Sequence, residues 1–188
     1  MNYARKIAQL TLDLAYTALD ASVQDRVKYL LLDYLGVAIR GAQTDSSKMI
    51  QRFLSFNHTP SDGVPVIGTA MRAEAPFAAL ANGTASHSLE LDDVANAASL
   101  HPGVAVMPAA LSAACLSGCS GRELLEGIVA GYELTVKLGM ALDPAASYAR
   151  GFHPTGICGT FGAALSSARI LKLDAGGIAR ALGIAGSQ

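Results

Sequence analysis

In the stretch SVQDRVKYLLLDYLGVAIRG the apolar residues Val23, Val27, Leu30, Leu31, Tyr34, Leu35 and Ala38 recur at steps of three and four. That period gathers them on one face of a helix. Ser22 with Asp25 reads as a variant capping box and Gly41 as a left-handed stop, so the pattern predicts a helix from Ser22 to Arg40. The same grammar recurs along the chain. Pro76, in a first turn, opens PFAALANGTASHSLEL, Ser120 with Glu123 opens GRELLEGIVAGYELTVKLG, and Asp174 opens AGGIARALGIAG. Only GVPVIGTA, Gly63 to Ala70, reads as extended, and it is too short to found a sheet. The expected fold class is all-α, a compact helical bundle. Ala and Gly occupy many helical positions that would otherwise hold Leu or Ile, which lets helix axes approach closely.

Composition narrows this picture. A chain of 188 residues is enough for one domain with a real core. Half of it, 51%, is hydrophobic and its net charge is only -1, an apolar balance that predicts association, most simply as a homodimer. Lys and Arg are scattered, without the basic stripe that a phosphate backbone requires, so no nucleic-acid partner is expected. The N-terminus carries Arg5, Lys6 and Asp13 and lacks the apolar core of a secretory signal; no run is long enough to span a membrane. Cys115, Cys119 and Cys158 are odd in number and two of them lie in an Ala-rich stretch, which suggests reduced core thiols and a cytoplasmic location. No spacing of fixed period and no linker marks a second domain.

Two constellations could carry chemistry. In NGTASHSLELDDVANAASLHPG the ionisable residues His87, Glu90, Asp92, Asp93 and His101 crowd into an otherwise apolar stretch. His87 and Glu90 are three apart, so on one helix they would share a face. Burying such groups unpaired costs several kcal/mol, on the order of a domain's net stability, so they are solvated or held in a site. A solvated helix end is one reading, although Asp92 and Asp93 would sit badly against its negative dipole end. A divalent-metal site is another, although the spacing matches no specific ligand signature.

The second constellation is RGFHPTGICGTFGAAL. His153 precedes Pro154, which disfavours helical geometry at the histidine, so a helix starting near Thr155 or Gly156 would aim free N–H groups at whatever His153 faces. Gly159, Gly162 and Ala163 read as close helix packing, which does not account for His153. A phosphate-binding loop fails, because no strand precedes Gly156, Gly159 and Gly162 and no lysine follows. There is no Gly-x-Ser-x-Gly elbow, and Cys158 has no local signature of a nucleophile.

Five segments in order, ANGTASHSLELDD, HPGVAVMPAALSAA, GRELLEGIVAGYELTVKLG, GFHPTGICGTFGAALSSARILKLD and ALGIAGSQ, resemble the MmgE/PrpD family. That family includes 2-methylcitrate dehydratase, cis-aconitate decarboxylase and iminodisuccinate epimerase. The resemblance implies a large all-α domain, a smaller α/β lid, a homodimer and no metal or other cofactor. Because family chains are more than twice as long, residues 1–188 are expected to be the N-terminal portion of the helical domain, truncated before its end and without the lid. The family's two pocket histidines fall on His101, in LHPG, and His153, in GFHP. Its acidic residue before the double aspartate falls on Glu90, its following threonine is here Val94, and its pocket lysine would lie beyond Gln188.

The chemistry implied is dehydration, decarboxylation or epimerisation of a small di- or tricarboxylate, with 2-methylcitrate dehydration placed first. Such a reaction needs a positioned base beside a carboxylate and N–H donors where charge develops. The expected catalytic residues are His101, His153 and Asp93, with Asp93 or Glu90 orienting an imidazole. The expected substrate-binding residues are Glu90, Thr155 and Gly156, and the two imidazoles should line one ligand-sized cavity. The rival reading is a non-catalytic helical module for dimerisation or binding.

Overall fold

A computed structural model describes residues 3–56 and 60–187; Gln188, at the end of the GIAGSQ segment, lies outside the described residues. The described residues are all-α, as the pattern predicts. Nine helices run in order: α1 (Tyr3–Leu12), α2 (Ala21–Gly41), α3 (Asp45–Phe56), α4 (Ala75–His87), α5 (Pro102–Ser117), α6 (Gly121–Ala141), α7 (Pro144–Ala149), α8 (Pro154–Ile170) and α9 (Ala175–Ala185). The expected extended segment is shorter than its sequence: Val64–Pro65, β1, pairs antiparallel with Arg72–Ala73, β2, just past it. This hairpin is pinned to α4 by buried Asn82, which accepts from Ile67 N–H at 2.8 Å and donates to the Pro65 carbonyl at 3.1 Å.

Local signals account for most helix starts. Ser120 and Glu123 form a reciprocal capping box at α6, and Asp174 accepts from Gly177 N–H at 2.6 Å to open α9. The N-cap of α2 is instead Asp20, and neither Ser22 nor Gly41 caps it. Gly41 lies inside the helix, where an added Cβ would strike the Ala85 carbonyl oxygen, so this glycine serves the close crossing of α2 and α4. The fourth helix stops at His87 rather than running on to Leu91, and Glu90 takes a left-handed φ of 52° in the following turn.

The core has two main parts. In one, Ala8 of α1 packs with Ala130 and Leu134 of α6, Leu165 and Ala168 of α8, and Ile178 and Leu182 of α9. In the other, Val27 and Tyr34 of α2 meet Met107 and Ala110 of α5, Ile128 of α6 and Ile170 of α8. The fifth, sixth and eighth helices thus form the centre, with backbone close to backbone: a Cβ on Gly131 would stand 2.9 Å from the Gly162 carbonyl oxygen. Only one of the three cysteines is a core thiol. Cys158 is buried, and burial pushes its thiol up, whereas Cys119 is half-buried and Cys115 exposed; all three are free.

Candidate active site

The two His-Pro pairs are built alike. His101 and His153 are the N-caps of α5 and α8, each with extended backbone before a proline that occupies the first helical position. The helix starting at Pro154 therefore begins with its histidine as the cap. Thr155 ties the two entrances together, its buried Oγ1 accepting from His101 N–H at 3.0 Å.

The segment between α4 and α5 brings four ionisable groups into a ring. Asp92, its side chain only 2% exposed, holds His87 Nδ1 at 3.0 Å and His101 Nδ1 at 3.3 Å. Glu90, 72% exposed, lies on the other edges of the same imidazoles, 3.5 Å from His87 Nε2 and 3.9 Å from His101 Nε2. The two rings meet edge to face with centroids 4.9 Å apart. The solvated-helix-end reading fails for Asp92, which is buried and bridges two imidazoles. Glu90 reaches His87 through a turn rather than along a helix, its N–H bonded to the His87 carbonyl oxygen at 3.2 Å.

Asp93 does not orient an imidazole here. Adjacent residues in this segment face opposite ways, and Asp93 accepts from Gly103 N–H at 3.2 Å, satisfying a free donor of the first turn of α5. The hydroxyl of Tyr132 stands beside that carboxyl. Burial pushes the Asp93 carboxyl up, offset by Tyr132 and the Gly103 N–H, and burial next to Asp93 raises the Tyr132 hydroxyl well above its ordinary range. A cavity of about 670 Å³ on that side is lined by Asp93, Arg26, Asp33 and Tyr132 and by no histidine.

Two of the histidines, His87 and His153, border a different cavity. It encloses about 660 Å³ between α4, α5 and α8, and His87, His153, Thr155, Gly156, Gly159 and Thr160 are among the residues that line it. His101 is not among them; it stands behind His87. Of the two imidazoles expected to line one cavity, His153 does so and His101 does not; His87 takes the second place on the wall. Sequence reasoning named His87 and Asp92 within the crowded stretch, but nothing in residue order says which members of that stretch converge.

The anion-binding expectation at α8 also changes. Thr155 N–H donates to His153 Nδ1 at 3.2 Å and Gly156 N–H to the His153 carbonyl oxygen at 3.1 Å, so both amides are engaged within the cap. Nothing lies within 4 Å of where a Gly156 Cβ would be, so Gly156 leaves open space on the cavity wall. His153 is braced from outside by Tyr148, ring centroids 5.5 Å apart.

A family model described as the MmgE/PrpD N-terminal domain matches residues 5–188. The chain is 29% identical over 194 residues to the cis-aconitate decarboxylase-like protein oryM of Aspergillus oryzae, covering 100% of this chain and 40% of that protein. It is 30% identical over 182 residues to cis-aconitate decarboxylase of Aspergillus terreus, covering 94% and 37%, and 31% identical over 167 residues to the Mus musculus enzyme of the same name, covering 87% and 34%. The chain therefore spans less than half the length of these curated relatives.

Proposed function

Because the chain belongs to the MmgE/PrpD family, we propose that its histidine-lined cavity serves proton transfer beside a carboxylate of a small di- or tricarboxylate. Within that class we put decarboxylation of cis-aconitate ahead of 2-methylcitrate dehydration, which the sequence alone had placed first. The names of the relatives support that order. Epimerisation ranks below both. The family model's description as an N-terminal domain, and the share of each relative covered, support reading residues 1–188 as the N-terminal portion of a larger helical domain.

The observation that carries the proposal is the cavity itself, with His87 and His153 on its wall and His101 held behind them. His153 Nδ1 accepts the Thr155 N–H, which leaves its proton on Nε2. Loss of CO2 from an unsaturated tricarboxylate leaves an allylic carbanion that must gain a proton, and His153 is set up as that donor. His101, with Nδ1 3.3 Å from Asp92 and Nε2 3.9 Å from Glu90, does not reach the cavity itself, and its part in the acid/base pair runs through the His87 ring that it meets edge to face. Glu90, expected against substrate, would repel a carboxylate; against the two Nε2 edges it holds the imidazoles. Asp93 acts at a distance, by capping the helix that His101 starts. Exposed apolar side chains on α2, such as Tyr29, Leu32 and Ile39, support a homodimer, which light scattering tests.

The test is a direct assay of CO2 release from cis-aconitate, with His101→Ala and His153→Ala each lowering the rate by about 10²–10⁴-fold. Turnover of 2-methylcitrate without turnover of cis-aconitate would restore the dehydratase reading. Full activity in both alanine variants would overturn the acid/base roles.

A further inference from the structure

We infer that His87, Asp92 and His101 form a binding site for one zinc-class divalent cation, and that its occupation blocks the acid/base chemistry of His101. The block rests on the functional reading above; the cation site does not.

One donor atom from each residue lies within 4.8 Å of the others. Donors around tetrahedral zinc, with bonds of about 2.0–2.1 Å, stand roughly 3.4 Å apart. His87 Nδ1 is 3.0 Å and His101 Nδ1 3.3 Å from Asp92 Oδ2, so two edges of that tetrahedron already exist. The third edge, between ligand atoms of the two imidazoles, is no longer than 4.8 Å and has to shorten to about 3.4 Å on binding. Second, His101 Nδ1 is buried and makes no well-aligned hydrogen bond, so it faces the Asp92 carboxylate as a donor atom not committed elsewhere.

The donor set also selects the ion. Two imidazoles and a carboxylate suit zinc and its neighbours, whereas calcium and magnesium prefer all-oxygen cages. With the imidazoles neutral, Asp92 and Glu90 together bring two negative charges to the ring, which a divalent cation offsets. Three protein donors leave a fourth position for water from the cavity that His87 borders. Binding replaces the Nδ1 protons of both imidazoles with the cation, so His101 loses its contact with a free Asp92. His153 stays outside the site, because its Nδ1 accepts the Thr155 N–H.

Calorimetric titration of the full chain with zinc chloride tests this, in a Cys115→Ser/Cys119→Ser background that removes the more accessible thiols. One site with a dissociation constant of about 10 μM or tighter is expected. His87→Gln and His101→Gln should each weaken it at least about tenfold, since even outer-shell partners cost 10–100-fold, and His153→Gln should leave it unchanged. Each variant is first shown to unfold at the zinc-free parent's midpoint, and cobalt(II) absorption in the parent should report tetrahedral nitrogen and oxygen ligation. No binding at about 100 μM zinc, or equal affinity in both glutamine variants, overturns the site. Zinc bound at these residues with cis-aconitate turnover unaffected overturns the block and the role of His101 while leaving the site standing. The titration does not depend on turnover, so the cation site stands or falls apart from the functional reading.

Discussion

At the mouth of α8 a Cβ added to Gly156 would meet nothing within 4 Å, whereas one added to Gly162, farther along the same helix, would strike Thr135 Oγ1 and stand 2.7 Å from the Gly131 carbonyl oxygen. The two glycines look interchangeable in GICGTFGAAL, yet one keeps a cavity wall open and the other lets two helix backbones touch. At the mouth, polar groups point at each other across α5 and α8 through Thr155, His101 and His153. At the Gly162 crossing with α6, a buried hydroxyl folds back on its own helix, Thr135 Oγ1 donating to the Gly131 carbonyl at 2.8 Å, and an ion pair that links the two helices, Arg169 with Glu126 at 2.9 Å, lies farther along α8. The difference teaches that this helix separates its tasks along its length: packing fixes where the axis lies, and the first turn uses that fixed position to present a histidine.

The sharpest way to break the comparison is to add bulk at the seam. Gly162→Val should destabilise the chain by about 3 kcal/mol or more, at the upper end for overpacking, since the obstructing atoms include backbone that cannot swing aside. Urea unfolding gives the value. A loss below about 1 kcal/mol would mean that the α6–α8 seam opens readily, and the rigidity argued for the mouth would go with it.

Next in size is the strut between the entrances. Thr155→Val removes the acceptor of His101 N–H at nearly constant shape, leaving a partly buried donor unpaired at a cost of about 1–3 kcal/mol. Turnover of cis-aconitate should fall with little change in KM, because the Thr155 hydroxyl is engaged by the His101 N–H; a raised KM would instead place Thr155, which also lines the cavity, against substrate. Thr155→Ser should restore both stability and rate. A valine variant with the parent's kcat would make the hydroxyl a packing detail and detach the two entrances from each other.

Gly156→Ala gives a smaller and opposite result in stability. Alanine at this helical position should be neutral or stabilising by up to about 1 kcal/mol. Its methyl would stand in the cavity, so carboxylate binding should weaken by up to about tenfold, equivalent to 1.4 kcal/mol. Unchanged affinity with raised stability would place the ligand elsewhere in the cavity.

What could be read in advance follows the range of the interaction responsible. The capping box of Ser120 with Glu123 and the cap at Asp174 are closed within a single turn, so residue order contains them. The role of Gly41 is not local: it is set by Ala85, on another helix, and the sequence offered only the glycine's usual habit as a helix stop. The double aspartate is the clearest case. Asp92 and Asp93 are identical in sequence, and only the path of the backbone after His87, with Glu90 in a left-handed turn, sends one to two imidazoles and the other to the α5 amide. Family likeness could mark His101 and His153, but it could not say that His87 rather than His101 borders the cavity.

The smallest effect is expected at the far end of the seam, where attraction at the surface replaces packing. Lys172, just past α8, pairs with Glu123 of the α6 capping box at 2.9 Å, both side chains being well exposed. Hydrogen bonding from Lys172, then from the Ser120 N–H and hydroxyl, pulls the Glu123 carboxyl down from 4.5 to about 2. A depressed carboxyl contributes stability that is full above its unfolded value and fades as pH falls, so the contribution should disappear between about pH 4.5 and 2. Glu123 likewise raises Lys172 above 10.5, so that half of the effect is present below 10.5 and is lost as pH climbs through the raised value. Glu123→Gln keeps an acceptor for the capping box but removes the charge. Thermal midpoints should therefore fall less steeply for the variant than for the parent across the acid window, and 1 M salt, with a screening length of about 3 Å, should narrow the gap. The penalty at Gly162 is steric and should persist at either ionic strength; a salt dependence as large there as at Glu123 would show that the two ends of α8 differ less than their contacts say.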